Sequence, residues 1–278
     1  MDGTPAALNG LRFSLVGPGR VGESLARWAM AAGAELVSLA GRSADGPSWP
    51  GAPPRTDLGE LATAGQDLLL VAVADAALPD VAATLARRPQ ALVALHTAGG
   101  LDASALSHLR RAGTAVGSLH PLKAFPRPLP DLAEARRVFF AVDGDPDALA
   151  LARRLAEAWG GVPGEVPPES RTLYHFAATL AAGGVVTLLA AAADLAARLG
   201  LPEAVAAGYL ELSRGAVAAA RESLDRGEPL AAAITGPVAR GDKAAVARQL
   251  EALRRVAPEK VPLAEEIARE TVRLKSRL

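Results

Sequence analysis

The chain has 278 residues, enough for one large domain or two ordinary ones with a sizeable core. Its 30 basic residues balance 30 acidic residues, so nothing suggests a nucleic-acid partner or an anionic membrane surface. The absence of cysteine excludes disulfides, thiolate nucleophiles and cysteine-ligated metals, and four histidines make a histidine-rich metal site unexpected. The chain does not open with a basic segment followed by an apolar one, which predicts a cytoplasmic protein.

The first motif follows a short apolar run, Leu11–Val16, and reads Gly17-Pro18-Gly19-Arg20-Val21-Gly22. In a G-x-G-x-x-G sequence the first glycine permits a tight strand-to-helix turn, and the second lets a pyrophosphate approach the backbone. The third glycine allows helix and strand to pack closely, and phosphates bind free N–H groups at the helix N-terminus. We therefore predict that this turn binds a dinucleotide; a plain tight turn is the alternative.

The first half of the chain alternates short apolar runs with helical patterns, which is typical of a parallel α/β sheet. The predicted strands are Phe13–Val16, Leu36–Ala40, Leu68–Val73, Leu92–His96, Ala115–Leu119 and Val138–Val142. The predicted helices of this half are Glu23–Ala32, Leu78–Arg87, Ala103–Arg111 and Asp145–Gly160.

The pattern changes at Gly160–Gly164, where helix and strand breakers cluster and the strand signals stop. Only helices are predicted beyond this point, at about Pro168–Leu199, Pro202–Arg226, Pro229–Ala233, Lys243–Val256 and Val261–Arg277. We therefore predict a nucleotide-binding α/β domain over residues 1–163 and an all-helical domain over residues 164–278.

The end of the second predicted strand bears on which dinucleotide is preferred. Sites for NAD usually place an acidic residue there to bind the ribose 2′-hydroxyl, whereas sites for NADP use a nearby arginine for the 2′-phosphate. Here the strand is followed by Gly41, Arg42 and Ser43, with no acid. Arg42 offers a planar set of donors suited to phosphate, and Ser43 adds a hydroxyl. NADP is therefore predicted over NAD, with an ordinary surface arginine as the alternative.

Two further strand ends place polar residues at the same edge of the sheet, where ligands of open α/β sheets collect. Asp75 follows the strand that ends near Val73, and we expect it near the nicotinamide half of the cofactor; a helix N-cap is the alternative. His96 ends the next strand and is a second candidate cofactor ligand. Its alternative role is that of a structural histidine at a strand end.

Residues 117–126 form the strongest candidate for substrate chemistry, because prolines stiffen a segment that holds a histidine and a lysine. Reduction of a carbonyl develops an alkoxide that needs a proton or a cation, and reduction of an iminium needs less. His120 and Lys123 are therefore candidate catalytic residues. A loop histidine bonded to the backbone and a solvated lysine are the respective alternatives.

The helical half opens with His175, which interrupts an apolar face and is either a satisfied core histidine or a third catalytic candidate in a cleft. The glycine pair Gly183-Gly184 is costly within a helix and suggests the close approach of another backbone or a ligand. The uncharged stretch Phe176–Ala193 reaches the lower length limit for a membrane span. Its alanine, glycine and threonine content favours a helix buried against other helices.

The segment Thr235–Asp242 predicts a rigid turn between helices. Thr235 and Arg240 are candidate substrate ligands, although an ion pair between Arg240 and Asp242 is the slightly favoured alternative.

Four motifs together resemble proteins that combine an N-terminal Rossmann-like domain with a C-terminal DUF2520 domain: Gly17–Gly22, Ser118–Leu122, Tyr174-His175 and Thr235–Asp242. That family is similar in architecture to pyrroline-5-carboxylate reductase and to other β-hydroxyacid-dehydrogenase-like and F420-dependent NADP reductases. The resemblance implies a Rossmann-like parallel sheet, an NAD(P)-linked oxidoreductase, and an all-α domain that forms a homodimer, with the active site between domains. It does not identify a substrate.

The sequence also departs from the family pattern, which more often has serine, threonine and asparagine near the positions of Ala98, Ala124 and Gly183. These changes imply either a less polar substrate or reduced chemistry. The leading hypothesis is an NADP-dependent reductase of a small imine or carbonyl compound. A nucleotide-binding regulatory or scaffold protein is the alternative, and a glycine loop that binds a flavin or deazaflavin is a third possibility.

Overall fold

A computed structural model describes residues 7–42, 49–88 and 91–278. The chain divides into two compact units, Met1–Ala182 and Gly183–Leu278. The first unit is built on an eight-stranded sheet with the order β3-β2-β1-β4-β5-β6-β7-β8. Its strands are β1 (Arg12–Val16), β2 (Glu35–Ala40), β3 (Arg55–Thr56), β4 (Leu68–Val71), β5 (Val93–His96), β6 (Ala115–Pro121), β7 (Phe139–Gly144) and β8 (Val162–Glu165).

Helices connect these strands on both faces of the sheet, as α/β crossovers require. The helices of the first unit are α1 (Arg20–Ala31), α2 (Leu78–Leu85), α3 (Ser107–Arg111), α4 (Pro146–Ala158) and α5 (Arg171–Thr179). Two apolar clusters form the core, one on each face. One contains Trp28 and Trp159, whose ring centroids lie 5.9 Å apart, and the other contains Leu69 and Leu106.

The strand order places the candidate site. From β1 the chain proceeds outward to β2 and β3, and then returns to β4 on the other side of β1. The crevice outside the carboxyl ends of β1 and β4 is therefore the topological switch point, where open α/β sheets bind ligands. Strands β1, β4, β5 and β6 are mutually parallel, so the residues after all four meet at one edge.

The six predicted strands and the four predicted helices of the first half are confirmed with small differences at their ends. The sequence analysis missed β3, which has two residues, and β8, which includes a proline and a glycine and lies at the sheet edge. The predicted parallel sheet is confirmed, with one exception that the sequence does not indicate: β7 runs antiparallel to β6. Strand β8 occupies Val162–Glu165, so strand structure continues across the predicted domain boundary, which stays a prediction.

The second unit is helical, as predicted. It contains α6 (Val185–Arg198), α7 (Ala204–Asp225), α8 (Lys243–Val256) and α9 (Val261–Lys275), with a 3-10 turn at Leu230–Ala233. Within Gly183–Leu278, all of which the structure describes, the buried residues are Ala196, Ser223 and Ala257. Large apolar side chains such as Val186 and Leu212 are 66% and 71% exposed. This unit has no hydrophobic core of its own in the single chain.

The prediction that Phe176–Ala193 is buried against other helices is wrong for the single chain, since none of these residues is buried. The helices available in one chain do not cover this stretch. Among the described residues, one helical stretch, Pro168–Arg198, is long and apolar enough to cross a membrane by length and composition, with a mean hydropathy of 1.9. A single helix of this kind is weak evidence for a membrane span, because an apolar helix that packs against protein has the same length and composition.

Candidate functional site

The glycine turn after β1 has the geometry that its sequence predicts. Gly17 has a φ of +87°, and a Cβ added to it would lie 2.4 Å from the carbonyl oxygen of Ala72. A Cβ on Gly22 would lie 2.1 Å from the carbonyl oxygen of Gly17. Gly19, by contrast, has open space where its Cβ would be. Two glycines are thus required by the fold itself, and the middle one leaves an open approach to the backbone.

Helix α1 begins at Arg20, and no side chain caps its N-terminus at Gly19. The first backbone N–H groups of a helix lack intrahelical acceptors, and the helix dipole adds positive potential there. Pro18 precedes this end and Val21 lies in its first turn. The turn therefore fits a pyrophosphate, whose oxygens would accept hydrogen bonds from these N–H groups.

Two arginines, Arg42 and Arg55, lie near the end of β2. Arg42 is exposed immediately after the strand, while Ser43 lies outside the described residues. Arg55, on the neighbouring strand β3, crosses over Gly41 with its side chain, whose Cδ would lie 3.0 Å from a Cβ built there. The sequence analysis missed Arg55 because β3 is too short to leave a strand pattern. The Arg55 side chain over Gly41 and the exposed Arg42 that follows it are guanidinium groups of the kind that suits a phosphate ester.

His96 at the end of β5 is fully buried and has both ring nitrogens bonded within its own loop. Its Nδ1 accepts from the backbone N–H of Ala98 at 3.2 Å, and its Nε2 donates to the carbonyl oxygen of Asp102 at 2.9 Å. Burial lowers the pKa of His96, which favours this neutral form. These contacts are those of the structural alternative, in which His96 shapes the Thr97–Asp102 loop.

Asp75 and Lys123 occupy exposed or half-exposed positions near the ends of β4 and β6. Asp75 is exposed and begins a 3-10 turn, but its side chain does not cap that turn or the following α2. The N-cap alternative is therefore not what its geometry supports. The ammonium of Lys123 lies 3.0 Å from the carboxylate of Glu134, which is 44% exposed.

His120, Tyr174 and His175 come together above Gly99. The hydroxyl of Tyr174 lies 2.9 Å from Nδ1 of His120, with the two rings at 88°. The rings of His120 and His175 are also nearly perpendicular, with centroids 5.7 Å apart. A Cβ on Gly99 would lie 2.7 Å from Nε2 of His120 and 2.4 Å from Nδ1 of His175. Only glycine leaves room for both imidazoles at this position.

A buried ion pair holds α5 against the sheet. Arg171 at the start of α5 is 1% exposed, and its Nη2 lies 3.1 Å from Oδ1 of Asp143 on β7. The same nitrogen donates to Ser118 of β6 at 2.6 Å, and the Ser118 hydroxyl in turn donates to Asp143. The backbone N–H of Ala103 donates to the other carboxylate oxygen at 3.1 Å. Since Tyr174 and His175 follow Arg171 by three and four residues, they share its helix face.

The local environment keeps His120 and Tyr174 uncharged. Burial, helped by the nearby His175 and Arg171, lowers the pKa of His120 to about 4. Burial likewise raises the pKa of Tyr174 to about 12, although the Arg171 cation opposes part of that shift. At neutral pH His120 is therefore a neutral imidazole and Tyr174 a neutral phenol.

The sequence analysis identified two of the three clustered side chains, His120 and His175, but it used Tyr174 only as part of a motif. It also missed Arg171 and Asp143. One feature of the sequence could have linked Arg171 to the site: Arg171, Tyr174 and His175 are spaced at i, i+3 and i+4, which places them on one face of a helix. Nothing in the sequence indicates that Asp143, on an antiparallel strand, is the partner of Arg171.

The candidate residues of the second unit lie on an exposed turn. Thr235 and Arg240 are both exposed. In this turn Asp242 caps α8 by accepting from the backbone N–H of Ala245 at 2.9 Å, so the favoured ion pair between Arg240 and Asp242 is wrong. Gly183 and Gly184 lie in a π-helical segment, Leu180–Gly184, a feature found frequently at functional sites. Over the described part of the chain, no three His, Asp or Glu side chains cluster as metal ligands.

Residues 138–271 match the family model described as Domain of unknown function (DUF2520). The resemblance that the motifs indicated is thereby confirmed for this part of the chain. No protein of curated function matches the chain.

Solved structures confirm the Rossmann-like fold. A Bacteroides fragilis protein, provisionally named an NADP oxidoreductase, is 19% identical with a TM-score of 0.71, over 96% of this chain and 99% of that one. A pyrroline carboxylate reductase from Plasmodium falciparum with NADP bound is 16% identical with a TM-score of 0.59, over 96% and 99%. A reductive aminase from Aspergillus terreus in complex with NADPH and ethyl levulinate is 18% identical with a TM-score of 0.63, over 96% and 97%.

The glycine turn predicts unequal effects of two similar substitutions on the free energy of unfolding. Gly17→Ala should lower it by at least about 2 kcal/mol, because alanine is strained at positive φ and its Cβ meets the Ala72 carbonyl. Gly19→Ala should lower it by less than about 1 kcal/mol, the size of a small N-cap effect. Urea unfolding at pH 7 measures both values, and equal losses would contradict the assigned geometry.

The Arg171–Asp143 pair predicts a large loss of stability when one partner is removed. Asp143→Ala should lower the free energy of unfolding by about 3–5 kcal/mol, because it leaves a buried guanidinium without its counter-charge. Glu211→Ala removes the partner of Arg214 in an exposed pair and serves as the control, with a nearly unchanged value. Similar urea midpoints for the two variants would show that the buried pair does not anchor α5.

Proposed function

We propose that this protein is an NADP-dependent oxidoreductase that reduces a small carbonyl or imine compound. The observation that carries the proposal is the turn after β1, where Gly17 and Gly22 are sterically required and Gly19 leaves the backbone open. A turn that served only to reverse the chain would not need open space at its centre. The uncapped N-terminus of α1 in the same turn supplies donors for a pyrophosphate.

The preference for NADP rests on the two arginines at the end of β2. Arg42 and Arg55 provide planar, permanently charged donors beside Gly41, where the adenosine ribose lies in Rossmann-like sites. The similar structures with NADP or NADPH bound support the same cofactor. Ser43 and Asp75 remain predicted cofactor contacts, and His96 would act on the cofactor through the loop that it shapes.

The chemistry would occur above Gly99, where His120 and His175 meet. When bound, the nicotinamide supplies a hydride; this chain's own residues orient the substrate and manage the proton. His120, His175 and Lys123 remain the catalytic candidates, and Thr235 and Arg240 remain candidate substrate ligands.

A purely regulatory nucleotide-binding protein is the second candidate, favoured by the apolar Ala98 and Ala124 where related proteins more often have hydroxyl groups. A panel of ketones, aldehydes, keto acids and imines separates the two functions. Tight NADPH binding with no oxidation of NADPH by any member would favour the regulatory function.

Cofactor binding gives the direct test. Isothermal titration should show NADPH binding about tenfold or more tighter than NADH, the effect of at least one charge-assisted contact to the 2′-phosphate. Arg42→Ala should weaken NADPH binding by about tenfold and leave NADH binding unchanged. Gly19→Ala should weaken the binding of both while the protein stays folded. Equal affinities for NADPH and NADH, or no binding of either, would overturn the assignment of the cofactor.

We also propose that the second unit forms a homodimer. Only a covering partner can bury the apolar side chains that α6 and α7 expose, and a second copy is always present at equal concentration. A helical surface covered by protein rather than lipid agrees with the predicted cytoplasmic location.

Sedimentation velocity in buffer without detergent should therefore give a dimer. Val186→Glu with Leu212→Glu should weaken that dimer, since charges would be buried at its interface. Leu92→Glu, at an equally exposed position of the first unit, is the matched control and should leave it intact. A monomeric wild-type protein, or a requirement for detergent, would contradict the proposal.

A further inference from the structure

The contact between His120 and Tyr174 is the best-defined polar arrangement in the candidate site. The Tyr174 hydroxyl is within hydrogen-bond distance of Nδ1 of His120, and Tyr174 is partly exposed while its ring packs edge-on against the imidazole. The other side of His120 is occupied, because its Nε2 lies over Gly99 beside His175. The two ring nitrogens of His120 thus face Tyr174 and Gly99, and both His120 and Tyr174 are half-buried.

We propose that Tyr174 is the residue that gives a proton to the reduced substrate, and that His120 positions Tyr174 instead of donating the proton itself. This inference rests on the proposed reductase function. It changes the role assigned to His120, which the sequence alone favours as the donor.

The position of Tyr174 on α5 favours this role. Arg171, three residues before Tyr174 on the same face of α5, is fixed by Asp143 and Ser118 on two strands. That anchor sets the phenol over the carboxyl end of β6, within reach of Nδ1 of His120. A proton donor must be held in this way, because proton transfer requires hydrogen-bond distance to the reacting atom.

The protonation states of His120 and Tyr174 at neutral pH also favour Tyr174 as the donor. With a pKa near 4, only about one His120 side chain in a thousand carries the extra proton at pH 7. Tyr174, with a pKa near 12, is protonated throughout the neutral range and is still a stronger acid than the alcohol formed from an alkoxide. The groups facing this pair are His96, His175 and Arg171; the Arg171 cation is paired with Asp143 but still favours the neutral imidazole and opposes the rise in the pKa of Tyr174.

The step balances with a reduced nicotinamide as the two-electron donor. The substrate carbon gains a hydride, and the electron pair of the C=O bond moves onto oxygen. The Tyr174 O–H bond breaks as the substrate O–H bond forms, leaving a phenolate. His120, protonated on Nδ1, donates a hydrogen bond to that phenolate, with further stabilisation from the Arg171 cation. The phenolate recovers its proton from solvent after the product leaves.

A test that needs no substrate uses the two tyrosines of the chain, Tyr174 and Tyr209. Labelling both with 3-fluorotyrosine gives two ¹⁹F resonances, assigned with Tyr174→Phe and Tyr209→Phe, and ring fluorination lowers the phenol pKa. The probes are NADP+ and NADPH, which differ by the positive charge on the oxidised ring. Saturating NADP+ should lower the titration midpoint of Tyr174 by about 0.5 pH unit or more relative to NADPH, as a nearby unit charge requires. The Tyr209 midpoint should not move.

The results of this titration distinguish a failure of the Tyr174 proposal from a failure of the proposed reductase function. If both nucleotides bind and the Tyr174 midpoint is the same with each, the phenol is not at the reacting centre, and this proposal is overturned while the reductase function stands. If neither nucleotide binds, the proposed function itself fails.

Turnover of any carbonyl compound that the wild-type protein reduces gives a second test. Tyr174→Phe should lower kcat by about 100-fold or more with unchanged NADPH affinity, the usual size of a lost general acid. His120→Asn keeps an N–H donor in place of Nδ1 and should retain more activity than His120→Ala, while Tyr209→Phe serves as the control. The wild-type rate should stay level from pH 6 to pH 9. A rate that falls steadily as pH rises through this range, or equal losses in His120→Asn and His120→Ala, would instead make His120 the acid.

Discussion

The ion pair between Arg171 and Asp143 is the constraint on which the candidate site depends. It joins the first turn of α5 to β7, and Ser118 of β6 and the Ala103 amide complete the bonding of the carboxylate. Replacing the pair with apolar residues would not necessarily cost stability, because burying two charges is itself unfavourable. An apolar contact, however, is not directional and would not fix the orientation of α5. The guanidinium reaches fixed acceptors on two strands, and this fixes which residues of α5 face the strand ends.

The chemistry above Gly99 follows from that placement. Two imidazoles and a phenol share a small volume, and glycine is the residue that allows it. Burial removes the charge from His120 and keeps Tyr174 protonated, so this pair offers polar groups without a charge. The anion-binding features of the chain lie elsewhere, at the glycine turn and beside Gly41.

The sequence predicted what depends on local pattern. Alternating apolar runs located β1, β2, β4, β5, β6 and β7, and the G-x-G-x-x-G spacing located the turn at Gly17. It could not predict contacts between distant segments. Asp143 carries no signal as the partner of Arg171, and Arg55 reaches Gly41 only because a two-residue strand pairs with β2. The reversed direction of β7 was also hidden, since an apolar run has the same composition in either orientation.

In the helical half the helices themselves were predicted well, but the exposure of their apolar side chains was not. Helical periodicity located α6 and α7, but periodicity does not reveal whether the covering surface belongs to the same chain. The uncharged run after Phe176 is exposed in the single chain and continues from the helix that Arg171 anchors. Tyr174 lies three residues after Arg171, at the anchored end of this helix, so the buried ion pair places the phenol independently of the exposed run.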